Sequence, residues 1–564
     1  MQSKQNKIIG FTISKNEINH DDIDVFNAGL NLVCYKVEGL FLYFWGMFGE
    51  DGAEGIKNCK PDANSYSLSF PLTDSLLERN VVIRAKDGGI SVENDWLGSI
   101  PVFYNSKDII ISTLSIKTLT ENTKDISLEG MANFLNFGHC AFELTPFEDI
   151  KSMRFLSKAT VKNSKIEIEY KPDIINLSQN EFFDEEMVMS KIQNYLRDYE
   201  NKVSGDIIIP TTAGHDSRLL NVLISQKDRI RSFTGGTVFP QEKCHEVVYA
   251  KKFSEISNIK WNQVDIGYDF FDKFYEKSCF LRGFSACSGS VWFCDFLDKI
   301  VKDPTIKNPT LLSGLTGETF AGKYCGDNAI GAFINKKMLD KFIHNIRIDA
   351  KFNKNYGEYN KSTDKFLNDN MLALNNGFTN IVFKWRTIIM SMNGFLIEYF
   401  GIPISIPYVS YEIANAMSYV TPERRIARVW QKDFFKKKGA DVDSMISKKE
   451  IVPYNIAQNI DYKAFVNSKI FEELDVELMS KYVDGEYIKK INQVLNKDKI
   501  NFNYRKWQVM GGVKILNSIK KKIFRSKKMK KAFEKFSSQG SMPINEAINS
   551  YLVLNQIIPL LKRK

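Results

Sequence analysis

GDIIIPTTAGHDSRLLNVLIS, Gly205 to Ser225, decides how the greater part of this chain is read. Asp206 to Pro210 is a short apolar run, Thr211 to Gly214 are small residues, and Ser217 to Ser225 repeats apolar side chains at helical spacing. The pattern predicts a strand, a tight turn and a helix in succession. Such a turn makes an anion site. Small side chains at Thr212, Ala213 and Gly214 let a polyphosphate approach the backbone, while the first N–H groups of the helix lack intrahelical acceptors and carry the positive end of its dipole. The hydroxyls of Thr211, Thr212 and Ser217 add donors. Asp216 is an acid at a phosphate site, which makes electrostatic sense if it binds a Mg²⁺ that bridges to phosphate oxygens. The same residues also allow a plainer role, in which Asp216 or Ser217 caps the helix.

Outward from this stretch the texture is consistent. From about residue 185 strands and helices alternate: EMVMSKIQNYLRDYENK, DIIIP, SRLLNVLIS, IRSFTGG, HEVVYAKKFSEI. A parallel α/β sheet satisfies that order. Residues from about 5 to 170 instead read as short β-runs (KIIGFTI, GLFLYFWGMF, NVVIRAK, GGISVE, VFYN, DIIIST, ATVKNSKIEIEY) between Gly, Asn and Asp turns, which predicts antiparallel sheet. Beyond about 330 the pattern is mainly helical, with a basic segment from about 510.

Composition sets outer limits. At 564 residues two or three domains are expected. The chain is 43% hydrophobic and 26% charged, with 15 prolines and 33 glycines, which fits packed rather than disordered protein. No run approaches the roughly 20 apolar residues of a membrane span, and MQSKQNKIIGFTISKNE lacks a signal-peptide apolar region. A cytoplasmic location is expected. The eight cysteines include no CxxC pair and the five histidines are scattered, so no zinc spacing can be assembled and reduced, mostly buried thiols are expected. Of the net charge of +10, the stretch KKKIFRSKKMKKAFEK (Lys520 to Lys535) carries nine basic residues less one acid, or +8. The remainder is close to neutral, and no nucleic-acid partner is expected. With Ile519, Ile523 and Phe524 among its lysines, the stretch fits a solvated helix face or docking on an anionic membrane surface.

TAGHDS, Thr212 to Ser217, resembles the SGGxDS loop of the asparagine synthetase and β-lactam synthetase family of ATP pyrophosphatases. SGLTGETFAGKY, Ser313 to Tyr324, follows the predicted strand PTLL and resembles the family's second signature, SGEGADELFGGY. Ser313, Gly314, Gly322 and Tyr324 coincide, and Glu318 falls where the family has its second metal-binding aspartate. Leu315 and Thr319 replace acids, and Thr316 replaces glycine. A glycine-containing turn between strand and helix is the plainer account of this stretch. In IRSFTGGTVFPQEKCHEVVYAKKF the resemblance implies backbone contacts to adenine at Thr234, Gly235 and Gly236, with Glu246 facing the nucleotide or lying on the surface. In the N-terminal part DWLGSIPVFY (Asp95 to Tyr104), ISTLSIKTL (111–119) and LTPFEDIKSMRFLSKATV (144–161) resemble, in order, segments of the family's glutaminase-type domain. Each match is short. Their shared order up to about residue 455 carries the weight.

The resemblance implies a two-domain architecture. Residues 1–178 would form an N-terminal α+β, Ntn-hydrolase-like antiparallel-sheet domain. Residues 185–510 would form a C-terminal α/β parallel-sheet domain of the adenine-nucleotide α-hydrolase-like (PP-loop) type with a helical C-terminal part, and 511–564 a basic helical tail. The implied activity is ATP-dependent, AMP-forming amide ligation on a small-molecule, carbohydrate or peptide carboxylate with an amine donor. ATP would be bound by Thr211, Thr212, Ala213, Gly214, Asp216, Ser217, Thr234, Gly235 and Gly314, and Mg²⁺ by Asp216 and Glu318. Glu398, upstream of PYVSYE (Pro407 to Glu412), would accept the amine proton, or it is a helix-surface glutamate. Lys448 and Lys449 of SKKEIVPYN would bind pyrophosphate, or they are a solvated pair. The chain opens Met1, Gln2, Ser3, Lys4 and has no cysteine before Cys34, so glutaminase activity is not expected and nitrogen would arrive as ammonia or a substrate amine. Two other readings compete. A scaffold on a decayed synthetase fold is motivated by Leu315, Thr316 and Thr319. Against a sulfur-transfer or tRNA-modifying ATP pyrophosphatase stand the absent cysteine pair and the N-terminal resemblance.

Overall fold

The apolar runs of the N-terminal part form strands β1 (Lys7–Ser14), β2 (Asn31–Val37), β3 (Leu40–Met47), β4 (Ser65–Ser67), β5 (Val81–Lys86), β6 (Gly89–Asn94), β7 (Phe103–Asn105), β8 (Ile110–Ser112), β9 (Ile150–Ser152), β10 (Ser157–Lys162) and β11 (Lys165–Tyr170). The computed structural model describes residues 7–18, 31–47, 65–67, 75–113, 125–140, 143–174, 184–282, 284, 291–323, 384, 396–447, 449–452, 459–496 and 544–562. The strands sort into a six-stranded sheet, β2-β3-β1-β8-β7-β9, and a five-stranded sheet, β11-β10-β6-β5-β4. Their strand pairs are antiparallel.

Strand alternation explains how the sheets meet. Phe11, Ile13, Leu42 and Phe44 of the first sheet share a core with Val81, Ile83, Ile90, Val92, Ala159 and Val161 of the second. Tyr43 and Trp45 point the other way, to Met131 and Phe134 of helix α1 (Leu128–Phe137). Each such side chain, fully buried, is stabilised by about 1.5–3 kcal/mol. A bulge between Ile8 and Gly10 shifts the register of β1 against β3.

After helix α2 (Glu185–Lys202) the chain alternates β12 (Ile207–Pro210), α3 (His215–Leu223), β13 (Ile230–Gly235), α4 (His245–Ser257) and β14 (Trp261–Val264), then α5 (Phe270–Arg282), α6 (Val291–Val301), β15 (Thr310–Leu312) and β16 (Ile404–Ser405). These strands pair in parallel in the order β14-β13-β12-β15-β16. Ile207, Ile208 and Ile209 are fully buried, as expected of a strand covered on both faces. The direction of winding reverses between β12 and β15, and crevices at such reversals, outside the carboxyl ends of the strands, are where open α/β sheets bind ligands. The sequence expectation of an antiparallel-sheet region followed by a parallel sheet with helices is met.

Helices α7 (Tyr411–Ser418), α8 (Pro422–Arg425) and α9 (Val429–Lys437) follow, then α10 (Ile460–Asn467), α11 (Val476–Met479), α12 (Gly485–Leu495) and α13 (Ile544–Leu561). Tyr551 of α13 packs edge-on against Phe465 of α10, and Tyr487 of α12 bonds Ser550. The two regions are joined by buried polar contacts. Arg79 binds Glu398 through both carboxylate oxygens at 3.0 and 2.9 Å, and Lys384 pairs with Asp173 at 2.6 Å. No helix among the described residues is long and apolar enough to cross a membrane. Of the described cysteines Cys140, Cys244 and Cys294 are buried and not in disulfides, whereas Cys34 is exposed. Tyr324, Lys448, the N-terminal Met1 to Lys4 and the basic stretch 520–535 lie outside the described residues.

Candidate functional site

Because β12 and β15 are neighbours in a parallel sheet, the loops that leave their carboxyl ends come together. These are Thr211–Ser217 and Ser313–Glu318, the two stretches that carried the sequence reading. Contact is close: a Cβ placed on Gly314 would lie 2.9 Å from the amide nitrogen of Ser217 and 3.2 Å from the carbonyl carbon of Asp216. Only glycine lets the second loop lie on the first turn of α3.

The first loop is held by its own hydroxyls. Thr211 Oγ1 donates to Ile209 O (3.1 Å) and accepts from Asn221 Nδ2 (2.8 Å) and Ser232 Oγ (2.6 Å), and Thr234 Oγ1 donates to Thr211 O (2.6 Å). Trp261 Nε1 donates to Thr234 Oγ1. Thr211 and Thr234 are therefore sheet-side struts, with their side chains turned away from the role of phosphate donor. Ser217 Oγ accepts from Thr212 N, and Thr212 Oγ1 from Gly214 N, and each keeps its own proton to donate. Thr212 is exposed, with Ala213 and Gly214 half-buried. Gly214 is the N-cap of α3 and no side chain caps it, so neither Asp216 nor Ser217 has the capping role that the sequence also allowed.

Two arginines complete the loop. Arg218, almost wholly buried, donates to the carbonyls of Gly214 (3.3 Å) and Ala213 (3.0 Å) and to Asp443 (3.3 Å), and stacks over Phe435. It holds those carbonyls where they cannot repel an anion. His215 Nε2 lies 3.5 Å from Asp443; burial keeps the imidazole below its ordinary pKa, while the contact with His215 brings the Asp443 carboxyl down to about 2. Arg428 Nη1 lies 3.4 Å from Asp216 Oδ2, and Gln431 Nε2 lies 3.3 Å from Oδ1. Burial pushes the Asp216 carboxyl up to about 6; Arg428 opposes this and the negative charge of Glu318 adds to it. Ala427 and Arg428, at φ 51° and 57°, form a left-handed pair just before α9, a strained backbone that aims Arg428 at the loop.

Among the described residues, no three His, Cys, Asp or Glu side chains are grouped to hold a metal ion. Two are close enough to interact, Asp216 and Glu318. A carboxylate whose ionisation is opposed by a second one beside it is relieved by a divalent cation, and Mg²⁺ ordinarily takes only one or two carboxylates with phosphate and water filling the rest. The residues fit that ion.

Other sequence candidates lie elsewhere. Gly235 is packed against Ile266, Trp292 and Phe296, each 3.3 Å from a Cβ placed there, so the end of β13 is walled by aromatic rings. Glu246 accepts from Cys244 Sγ at the start of α4. Glu398 is buried, with both oxygens on Arg79, so it is not the helix-surface glutamate that the sequence also allowed. Lys449 is exposed. Sequence reasoning missed Arg218, Tyr408, Arg428, Gln431 and Asp443. Only Arg218 had a local signal, as a charged residue inside an apolar helix one turn after Gly214. A scan of protein-family models matches none of them to this chain, and a search of curated proteins finds no match.

Proposed function

We propose that this protein is an ATP-dependent, AMP-forming ligase that adenylates a carboxylate and passes the acyl group to ammonia or an amine, on a PP-loop type of α/β fold preceded by an Ntn-hydrolase-like sheet region. The observation that carries the reading is the seating of Gly314 on the Ser217 amide at the switch point of a parallel sheet. It joins, in one crevice, the two stretches that resemble the synthetase signatures.

In this reading the partly exposed turn Thr212 to Gly214 and the N–H groups opening α3 receive the pyrophosphate end of ATP. Gly235 and the rings behind it border adenine. Asp216 and Glu318 hold Mg²⁺, which when bound would offset phosphate charge. Arg428 has the charge to share that work once a phosphate competes with Asp216 for its guanidinium. A carboxylate oxygen attacks the α-phosphorus, the bond to pyrophosphate breaks, and acyl-adenylate forms. The amine then attacks the acyl carbon, AMP leaves, and the ammonium proton passes to solvent or a base. The test is pyrophosphate and AMP release from MgATP across a panel of carboxylates supplied with ammonia. Glutamine is expected not to replace ammonia; sustained glutamate formation from it would contradict that.

A scaffold reading has its own support. Arg428 and Gln431 close on Asp216, and the second loop presents the apolar Leu315. Failure of MgATP to bind in calorimetry, with no pyrophosphate from any carboxylate, selects the scaffold.

A further inference from the structure

Residues 404–412 lie between the crevice and the N-terminal sheets. Three consecutive residues bond to the sheet side. Val409 O accepts from Trp96 Nε1 (2.9 Å), Ser410 Oγ donates to Glu78 (2.8 Å), and Tyr411 N donates to Leu77 O (2.8 Å). Trp96 is fully buried and meets the Tyr411 ring edge to face at 5.5 Å. On the crevice side Tyr408, also buried, donates its hydroxyl to the main-chain oxygen of Asp216 at 3.0 Å. A Cβ on Gly317 would come 2.8 Å from the Tyr408 ring and 3.0 Å from Asp216 Cβ. One tyrosine thus touches both loops.

We propose that Tyr408 is a positioning residue for the ATP-dependent reaction, setting the first turn of α3 against the second loop, and that the N-terminal sheets act on the crevice through it by way of Trp96 and the main chain of Val409. The catalytic half of this inference rests on the ligase reading; the mechanical half does not. Asp216 O is the helical acceptor for the amide of Leu220, and its second lone pair takes the Tyr408 proton. That shared oxygen ties the direction of the first turn, and with it the Asp216 carboxylate, to a side chain anchored outside α3. Pro407 opens the short 3₁₀ turn Pro407–Val409, and its own fixed φ suits the first position of the turn that carries Tyr408. Alignment of reacting groups is sensitive to such anchors, with a displacement of about 1 Å costing roughly a hundredfold in rate.

The experiment uses the full chain with Tyr408→Phe, which deletes only the hydroxyl, and Trp96→Phe, which deletes the indole N–H. In hydrogen exchange, Tyr408→Phe is expected to speed the amides of Arg218 to Leu220 about tenfold, the loss of one buried hydrogen bond, and to leave α12 unchanged. Trp96→Phe is expected to shift the same amides in the same direction by less. Should Trp96→Phe not fold, Ser410→Ala tests the same connection. In pyrophosphate release, kcat of Tyr408→Phe is expected to fall about tenfold while KM for the carboxylate stays within about twofold, a split that a merely structural tyrosine would not produce. Unchanged exchange at Arg218 to Leu220 in Tyr408→Phe overturns the proposal whether or not activity is found. Faster exchange there with no response to either sheet-side variant overturns the link to the N-terminal sheets. If the parent releases no pyrophosphate, the ligase reading fails and the exchange result still decides the mechanical half; if the parent is active and kcat of Tyr408→Phe is unchanged, the catalytic half fails alone.

Discussion

The loops after β12 and β15 leave adjacent strands of one sheet and touch, yet they are built in opposite ways. The first is cross-braced. The Thr211 hydroxyl has three partners, Ser217 and Thr212 bond within the turn, and Arg218 holds two carbonyls. The second carries stress. Thr316 has φ 66°, a left-handed backbone that disfavours a β-branched side chain, and the buried Thr319 Oγ1 has no hydrogen-bond partner among the described residues. Thr316 stands where the resembled signature has glycine. Threonine makes here a bend that glycine would make without strain, at a steric cost of about 1–2 kcal/mol. The two loops therefore differ in stored strain: the first is held by hydrogen bonds, and the second bends against one of its own side chains.

The largest expected effect separates the loops by function. Asp216→Asn keeps size and deletes charge, and at least a roughly hundredfold loss of pyrophosphate release is expected, comparable to losing one strong electrostatic contact to a transition state. Glu318→Gln is expected to lose as much or less. Mg²⁺-dependent release in Asp216→Asn equal to the parent's would end the claim that the first loop is the metal site.

Next comes the support behind the first loop. Burial, with Glu412 and Asp95 nearby, pushes Glu78 up to about 7 against its hydrogen bond from Ser410. Its folded pKa is raised, so the folded state binds the proton more tightly than the unfolded chain does. The stability this gives is full below the unfolded value of about 4.5 and is lost as pH rises through about 7, on the order of 3 kcal/mol in all. Melting temperature should fall between pH 5 and 7.5. Glu78→Gln should flatten that slope, and an unchanged slope would remove Glu78 as its source.

One substitution made in both loops gives opposite signs. Thr211→Val removes the acceptor of the Ser232 hydroxyl and one of the two acceptors of the Asn221 amide, and is expected to destabilise by about 2 kcal/mol in denaturant unfolding. Thr319→Val removes a buried hydroxyl that has no partner and is expected to be neutral or to stabilise by up to about 1 kcal/mol. Equal losses would erase the contrast. The smallest effect is at Thr316→Gly, where relief of strain exceeds the added chain entropy and a gain of about 0.5–1 kcal/mol is expected by the same measurement.

Much of the scaffold was legible from local pattern. The isoleucine run before Thr211 and the helical spacing after Ser217 predicted strand, turn and helix, and β12 and α3 stand there. What surrounds Asp216 was not legible. Arg428, Gln431 and Tyr408 come from 212, 215 and 192 residues away, and nothing local marks them. Arg428 is aimed by a left-handed pair that contains no glycine, so the usual letter for that backbone is missing. The setting of Glu398 was illegible for the same reason: its partner Arg79 lies 319 residues away, in the turn before β5, and nothing next to Glu398 in the sequence marks the pair.

The Arg79–Glu398 pair also sets a schedule. The two residues are 319 apart, so on a ribosome adding about 5–20 residues per second Arg79 waits roughly 15–60 s for its carboxylate. Trp96, whose acceptor Val409 is 313 residues away, waits as long. The sheets emerge early but their docking face, with a guanidinium and an indole meant for burial, stays in water through most of synthesis. During that interval the nascent chain offers a sticky surface that only its own later half can cover, which makes this the moment at which a chaperone would matter most.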